Sequence, residues 1–357
     1  MSVTARTLRL LAEVRGQIDG VLDAQTRDLV RAWVIAWDEI EPDLTASLLE
    51  QLVAGDKVTR AQLLRSTRLR KALAVVAEKL EELAEYTGIR ISQDLQLVLD
   101  TAGGAQASVI DSQLPANFMS NADLQSWSRV DERQLTAIVE RITEQVTSTA
   151  WPLAPDSYEV VRRELVRGVA AGANPRETAR RMIERAGRGF NGGLNRALVI
   201  SRTETLDAYR TAAAVGEEQH TDVLAGWRWV AELDTRTCPS CWSQHGSMHA
   251  LTEPGPYDHQ QGRCARMPAT RSWADLGFTA IEEPPSLLPD ARTQFSELTD
   301  EQQREVLGPR RFEAWAAGKF PMDSWSRRRS TDGWRDSYVP TKAPKFQSGG
   351  RVSPSAA

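Results

Sequence analysis

Residues 233–241 read LDTRTCPSC and residues 259–264 read HQQGRC, and these two stretches decide how the middle of the chain folds. They hold all three cysteines of the chain and one of its four histidines. The spacing is Cys-x2-Cys, then seventeen residues, then His-x4-Cys. Three thiolates and one imidazole are a closed tetrahedral set that suits a structural zinc ion. The predicted metal ligands are Cys238, Cys241, His259 and Cys264.

A catalytic zinc ion is the alternative interpretation of this cluster. It would need an open coordination position, with His245 and His249 as an i, i+4 ligand pair. Gly246 occupies the place where a metalloprotease helix carries its glutamate base. A loop-rich segment such as 234–270 has little core of its own, and a bound metal compensates for that. We therefore expect the metal to be structural and the protein not to be an enzyme.

Composition limits the class of protein. Hydrophobic residues make up 41% and charged residues 26%, as in ordinary soluble globular proteins. A net charge of −4 argues against a general nucleic-acid scaffold, which usually has a basic balance. No apolar run approaches the length of a membrane span, and the charged N-terminus does not read as a secretory signal. An odd number of cysteines and no signal peptide indicate assembly in reducing cytoplasm.

Residues 1–113 are predicted to form an N-terminal helical bundle. Spacings of three, four and seven residues place apolar side chains on one face, as expected for a packed helix. A connection begins at Leu114, and the domain that follows is predicted to span 114–275. The face consists of Leu8, Leu11, Ile18, Leu22, Leu29 and Trp33.

Within 114–275, a helix predicted from about 194 to 214 carries Arg202 and Glu204. The simplest role for that arginine is a fork of hydrogen bonds that ties a neighbouring loop, and the loop from Asp234 to Thr237 is the obvious partner. Alternation in GWRWVAEL, residues 226–233, predicts a strand. The Cys-x2-Cys pair is then expected on a hairpin-like knuckle after this strand.

The rest of the chain is predicted to be a C-terminal helical segment, 276–320, and a basic flexible tail, 321–357. Thr299 and Gln302 form a capping-box pair at the start of one helix. Between residues 324 and 351 there are seven Arg or Lys and only two Asp, so this tail is either a solvated segment or a contact with DNA or an acidic partner. The whole chain is therefore predicted to be mainly α, with a small α+β, metal-stapled domain.

Three motifs in fixed order resemble the phage Mu F-like family, the minor capsid or head-morphogenesis proteins of tailed phages. They are ISRTET at 200–205, the segment from Trp229 through LDTRTCPSC, and His259 to Cys264 followed by Pro268. The similarity runs from about Asn174 to Thr270, somewhat over a quarter of the chain. One position departs from the family pattern, because Gly262 stands where the family has the first of two cysteines. If either cysteine suffices, Cys264 completes the site; if the missing one is a ligand, metal binding is lost.

The resemblance implies a virion protein that is not an enzyme. It would be made in the host cytoplasm and lie in the capsid interior near the portal, where it assists head assembly, DNA packaging or ejection. Its partners would be the portal protein, the scaffold or the major capsid protein, with a possible DNA contact through residues 324–351. Two rival interpretations remain: a zinc-ribbon nucleic-acid-binding protein, and a metal-dependent hydrolase or toxin.

Overall fold

The structure is a computed structural model that describes residues 2–53, 67–116, 118–127, 198–259, 261–331 and 334–344. Its helices are Ala5–Val53, Thr67–Asp111, Asn121–Trp127, 198–218, Pro239–Gln244, Ala291–Glu297, Asp300–Leu307 and Pro309–Ala316, with a 3-10 turn at Met322–Ser324. The strands are β1 Leu224–Val230, β2 Met248–His249, β3 Ala265–Thr270, β4 Ser326–Thr331 and β5 Trp334–Pro340. Long helices with two small sheets make an α+β protein, as predicted. None of the described helices combines the length and the apolar character needed to cross a bilayer.

The chain divides into two compact units, each built from segments that are distant in sequence. One unit combines Met1–Arg15, Asp100–Asp131 and Tyr209–Ala357. The other combines Gly16–Leu99 with Glu132–Ala208. The predicted domains 1–113, 114–275, 276–320 and 321–357 remain predictions, and much of the second one, residues 128–197, lies outside the described residues.

The unit containing Gly16–Leu99 is held by its helices. Of the predicted apolar face, Ile18, Leu22, Leu29 and Trp33 are buried here, which confirms the periodicity. Arg90 on the helix Thr67–Asp111 donates to Asp28 on the first helix at 2.9 Å. The buried Gln25 accepts from Ser201 at 2.6 Å, which joins the helix 198–218 to the first helix. Three helices are therefore bonded through side chains within this unit.

The other unit contains an antiparallel sheet of order β2-β1-β3. The predicted strand at 226–233 is confirmed with a small shift, as β1 spans Leu224–Val230. Every residue of β3 is buried. Gln113 donates from Nε2 to the carbonyl of Pro268 in β3 at 2.9 Å, and Val109 packs in one apolar cluster with Val230 and Met267. The sheet is therefore covered in part by the end of the helix Thr67–Asp111 and the turn that follows it.

The C-terminal helices pack around one aromatic cluster. Phe295 meets Trp242 and Trp325 edge-on, with ring centroids 5.2 and 4.9 Å apart. The predicted capping box is present, since Gln302 N donates to Thr299 Oγ1 at 3.3 Å and Thr299 N donates to Gln302 Oε1 at 2.9 Å. Because Trp242 belongs to the helix that follows the first cysteine, this cluster anchors the cysteine-bearing helix.

The prediction that the chain is flexible from residue 321 is wrong over its first part. Strands β4 and β5 pair antiparallel, with Arg328 opposite Tyr338. Two long-range contacts hold the hairpin: the hydroxyls of Ser240 and Ser326 are 2.7 Å apart, and Tyr338 N donates to the carbonyl of Tyr257 at 2.7 Å. The local composition of this segment does not indicate these contacts, because their partners are distant in the sequence. Residues 345–357 lie outside the described residues.

Candidate metal centre

The first cysteine pair lies at the start of a short helix, not on the hairpin-like knuckle that the sequence predicts. Cys238 is the N-cap of Pro239–Gln244, and its Sγ accepts from the amide of Cys241 at 3.4 Å. Proline at the first helical position is preorganised for the helix and lacks an amide that would need a partner there. Both thiols therefore lie on one turn, which explains the two-residue spacing of the pair.

The predicted ligands come together around Cys241. The side-chain donor atoms of Cys238, Cys241 and His259 all lie within 4.8 Å of one another. A second group with the same spread is Cys241, Asp258 and Cys264, and all three of its members are buried. Cys241 belongs to both groups, and all three cysteines are free thiols. The four predicted residues are thus divided between two groups that share Cys241, and the second group also contains the carboxylate of Asp258.

The donor atoms could hold a metal ion, and their types are those that zinc sites use. Zinc–sulfur bonds of about 2.3 Å in a tetrahedron place neighbouring sulfur atoms about 3.8 Å apart. A spread of up to 4.8 Å among the first three donors is compatible with closure on one ion after small side-chain movements. Soft thiolates with one imidazole are the donors of structural zinc sites. The residues that would hold the ion are Cys238, Cys241, His259 and Cys264.

One thiol of the cluster is prepared to lose its proton. A hydrogen bond from the Cys241 thiol lowers the pKa of Cys238 to about 5, with burial opposing and His259 adding to the effect. The pKa of Cys241 is raised well above its usual value by hydrogen bonds with Cys238 and Cys264 and by burial. The thiolate is the form that binds metal. Within this pair Cys238 therefore loses its proton first, and the proton of Cys241 is the harder one to remove.

The two other histidines near the cluster are engaged elsewhere. His245 Nδ1 accepts from the amide of Ala231 at 3.0 Å, and its Nε2 lies 3.1 Å from the carbonyl of Pro289. His249 lies 3.0 Å from Glu253 and 2.9 Å from Ser247 through its two ring nitrogens. Among the described residues, the groups able to hold a metal include neither ring. The i, i+4 ligand pair of the hydrolase interpretation is therefore unsupported.

Asp234 joins the two loops that carry the ligands. Its Oδ1 accepts from Thr237 at 2.7 Å and from Arg263 at 2.6 Å. Burial alone would raise the pKa of Asp234, but the hydrogen bonds from Arg263 and Thr237 outweigh it and lower the pKa to about 2. The bond from Arg263 crosses from the loop before Cys264 to the loop before Cys238. Asp234 is therefore ionised over the whole physiological range and holds the two loops together.

Arg202 does not play the role that the sequence predicts for it. Its Nη2 lies 3.4 Å from Asp19, while the arginines that reach Asp234 are Arg263 and Arg236. Glu204 is buried on the helix 198–218. The sequence predicts hydrogen bonds between an arginine and a neighbouring loop, and such bonds are present. The sequence pattern does not show which arginine of the chain forms them.

Arg210, on the same helix, is the residue that ties a ligand loop. It forms a two-pronged bond with Asp258, both distances being 2.8 Å, and the two side chains are 5% and 0% exposed. The same guanidinium donates to the carbonyls of Gly262 and Cys264, each at 2.8 Å. A buried arginine fork satisfied on every side fixes the path of the backbone. In the sequence, Arg210 lies inside ISRTETLDAYRTA, eight residues after Arg202, but the prediction named only Arg202.

A second buried arginine supports the sheet behind the cluster. Arg266 in β3 pairs with Glu217 at 2.7 Å, and both side chains are fully buried. Its guanidinium lies 4.4 Å from the ring centroid of Trp227. Burial raises the pKa of Glu217 to about 7, although Arg266 opposes this. The pair was not predicted, because its partners are far apart in sequence.

Comparison with known proteins gives one match. Residues 159–267 match a family model described as Phage Mu protein F like protein. The matched segment includes the helix 198–218, strands β1 and β2 and all four predicted ligands. No curated protein and no solved structure matches the chain. The match confirms the resemblance that the three motifs indicate.

Proposed function

From the phage Mu F-like character of residues 159–267, we propose that this chain serves in phage head morphogenesis and acts by binding. The observation that carries the proposal is the match itself, which covers the cysteine and histidine cluster and the elements that position it. The protein would be made in the host cytoplasm and taken into the capsid interior near the portal. There it would assist assembly, DNA packaging or ejection.

The cluster serves this function as a structural zinc site. With Cys238, Cys241, His259 and Cys264 as ligands, no position is left for water, so the ion stabilises the loops and does no chemistry. The described residues of this loop, 250–259 and 261–264, form no helix or strand, and the stability of the loop would come in part from the metal. This supports a binding protein over a metal-dependent hydrolase or toxin. A hydrolase would need an additional open position.

The partners would be the portal protein, the scaffold or the major capsid protein, and of these we favour the portal. Two long helices expose apolar side chains: Ile35 is 56% exposed on the first helix, and Ile89 is 48% exposed on the second. Large apolar side chains at the surface are often contact anchors in assemblies. We place the portal contact on this helical surface.

Co-sedimentation with the portal ring encoded beside this chain tests the proposal. Deleting residues 1–113 is a poor variant, because residues 1–15 and 100–113 belong to the unit that contains the metal centre. We therefore choose Ile35→Glu together with Ile89→Glu, with the exposed Gln17→Glu as a control that adds charge on the same first helix. The wild type and the control should bind stoichiometrically at moderate salt, and the double variant should lose at least tenfold in affinity. No binding by the wild type to portal, scaffold or procapsid would overturn the proposal.

A contact with packaged DNA through residues 324–351 is the second part of the proposal. The described portion of this segment is the β4–β5 hairpin, where Arg327 and Arg329 are exposed and stand two residues apart. Side chains two residues apart lie on the same face of a strand. Arg328, on the opposite face, is already paired with Asp336 at 2.6 Å. Two arginines on one face support phosphate contacts that are independent of base sequence.

A further inference from the structure

Gly262 lies between His259 and Cys264, and the structure gives a reason for glycine at this position. A Cβ atom added at residue 262 would overlap the carboxylate of Asp258. The backbone of Gly262 is not among those with positive φ, so it is space that demands glycine and not conformation. The carboxylate cannot simply move aside, because Arg210 holds both of its oxygens at 2.8 Å. Asp258 and a side chain at 262 therefore exclude each other.

Asp258 and Arg210 bond to backbone groups close to His259 and Cys264, the two ligands that the loop supplies. Asp258 directly precedes His259, and its Oδ2 accepts from the amide of Cys264 at 3.2 Å. Arg210 donates to the carbonyl of Cys264 and to that of Gly262. The carboxylate of Asp258 and the guanidinium of Arg210 are thus hydrogen-bonded to each other and to the loop backbone, and both side chains are buried. The backbone on either side of His259 and Cys264 is thus fixed from one point.

We propose that the buried Asp258–Arg210 pair is a positioning element that directs His259 and Cys264 toward the metal. The pair acts through the ligands, and the carboxylate, already bound by the guanidinium, is not itself a ligand. This inference rests on the structural metal of the proposed function. It explains how the backbone at His259 and Cys264 is held in place although Gly262, between them, has no side chain.

Zinc affinity of the full-length protein, measured by competition with a chromophoric chelator, tests the pair. Asp258→Asn keeps the shape but turns an amide NH₂ toward the guanidinium, so it should weaken zinc binding about 10- to 100-fold, as loss of a ligand-orienting partner does. The matched control is Glu217→Gln, which removes the charge from an equally buried arginine partner in the same helix as Arg210. It should leave zinc affinity within about threefold of wild type.

Cobalt substitution separates positioning from a loss of stability. The sulfur-to-cobalt absorption of the wild type should correspond to three thiolates, and that of folded Asp258→Asn protein to two, because Cys264 is no longer directed at the ion. Wild-type absorption and wild-type affinity in Asp258→Asn would overturn the proposal. A wild type that binds no zinc would refute the metal itself, whereas portal binding would still be decided by co-sedimentation.

Variants at residue 262 keep the test independent of how Asp258→Asn folds. Gly262→Ala should weaken zinc binding as strongly as Asp258→Asn, because the methyl group displaces the carboxylate. In the double variant Gly262→Ala with Asp258→Ala the overlap is gone. Gly262→Ala should therefore add little to the loss of zinc affinity that Asp258→Ala causes alone. Additive losses would show that the two positions are independent and would contradict the proposal.

Discussion

At the scale of single residues, the metal centre is organised by ion pairs around the ligands. Asp234 binds the loop before Cys238 to Arg263, and Asp258 binds the loop before Cys264 to Arg210. Removing one member of such a pair leaves the other partly desolvated charge without compensation, which costs more than the pair contributes. Substitutions at these aspartates should therefore lower the free energy of unfolding by more than the loss of a surface salt bridge would.

In the Asp234→Asn variant, the free energy of unfolding should depend less on pH in the acid range than it does in the wild type. The pKa of Asp234 lies at about 2 in the folded protein against 3.8 as the ordinary value. The contribution of its charge is therefore complete above about pH 4 and disappears as the pH falls toward 2. In urea unfolding, the wild type should be the more stable protein at pH 7, and the difference from Asp234→Asn should shrink between pH 4 and 2.

Two controls accompany that experiment. Acid also protonates the metal ligands, but these are the same in both proteins, so the difference between them reports Asp234. Asp222→Asn, at an exposed aspartate of the same unit, should follow the wild-type profile. A difference between wild type and Asp234→Asn that stays constant down to pH 2 would contradict the assignment.

At the scale of elements, the hairpin β4–β5 has two unlike faces. Ser326 and Tyr338 attach it to the helix Pro239–Gln244 and to Tyr257. Arg327 and Arg329 lie on one face, and among the described residues neither has an ion-pair partner. An attached hairpin presents charges in a fixed geometry, which a mobile tail could not do. The hairpin is therefore the described element best suited to meet phosphates.

Replacing both of these arginines by glutamine should reduce DNA affinity and its salt dependence. Each phosphate contact contributes about −0.9 to the slope of log K against log salt, so the slope should become less steep by about 2. Fluorescence anisotropy with duplexes of several sequences measures this, and the loss should be the same for all of them. Arg328→Gln, on the opposite face and paired with Asp336, is the matched control and should change the slope by less than half as much. An unchanged slope in the double variant would remove the hairpin from the DNA contact.

At the scale of the whole molecule, the metal centre belongs to one of two compact units. That unit draws on Met1–Arg15, Asp100–Asp131 and Tyr209–Ala357, and its ligands lie in the last of these segments. The unit with Gly16–Leu99 has its own buried apolar side chains on long helices. A stabilising ion should therefore act on the unit that holds its ligands.

Removal of the metal by a chelator should lower the temperature of the calorimetric transition in which the unit that holds the ligands unfolds. With free zinc at a hundred times Kd, the ion stabilises its unit by about 2.7 kcal/mol, which corresponds to a fall of roughly 5–10 °C for a unit of this size. Cys238→Ser, which lacks one ligand, should show the lower transition with and without the chelator. An unchanged transition temperature after chelation would contradict a metal that stabilises this unit.

The sequence alone determined the features that depend on neighbouring residues. Spacing of Cys238, Cys241, His259 and Cys264 identified the cluster, because two ligands on one turn need a fixed separation along the chain. Periodicity located the buried face of the first helix, alternation located β1, and Thr299 with Gln302 marked a helix start. Each of these is a local rule of backbone geometry, so it can be read without knowing the fold.

Only the tertiary structure decided which partners meet. Arg210 and not Arg202 binds a ligand loop, because the choice depends on which side of a helix faces residues about fifty positions away. The arginine-rich segment became a hairpin through contacts with Ser240 and Tyr257, although its composition is that of a solvated tail. Glycine at 262 is explained only when the Asp258 carboxylate is seen in the space beside it. Long-range contacts select one arrangement among many that local sequence permits, and that selection is made by packing and by the pairing of buried charges.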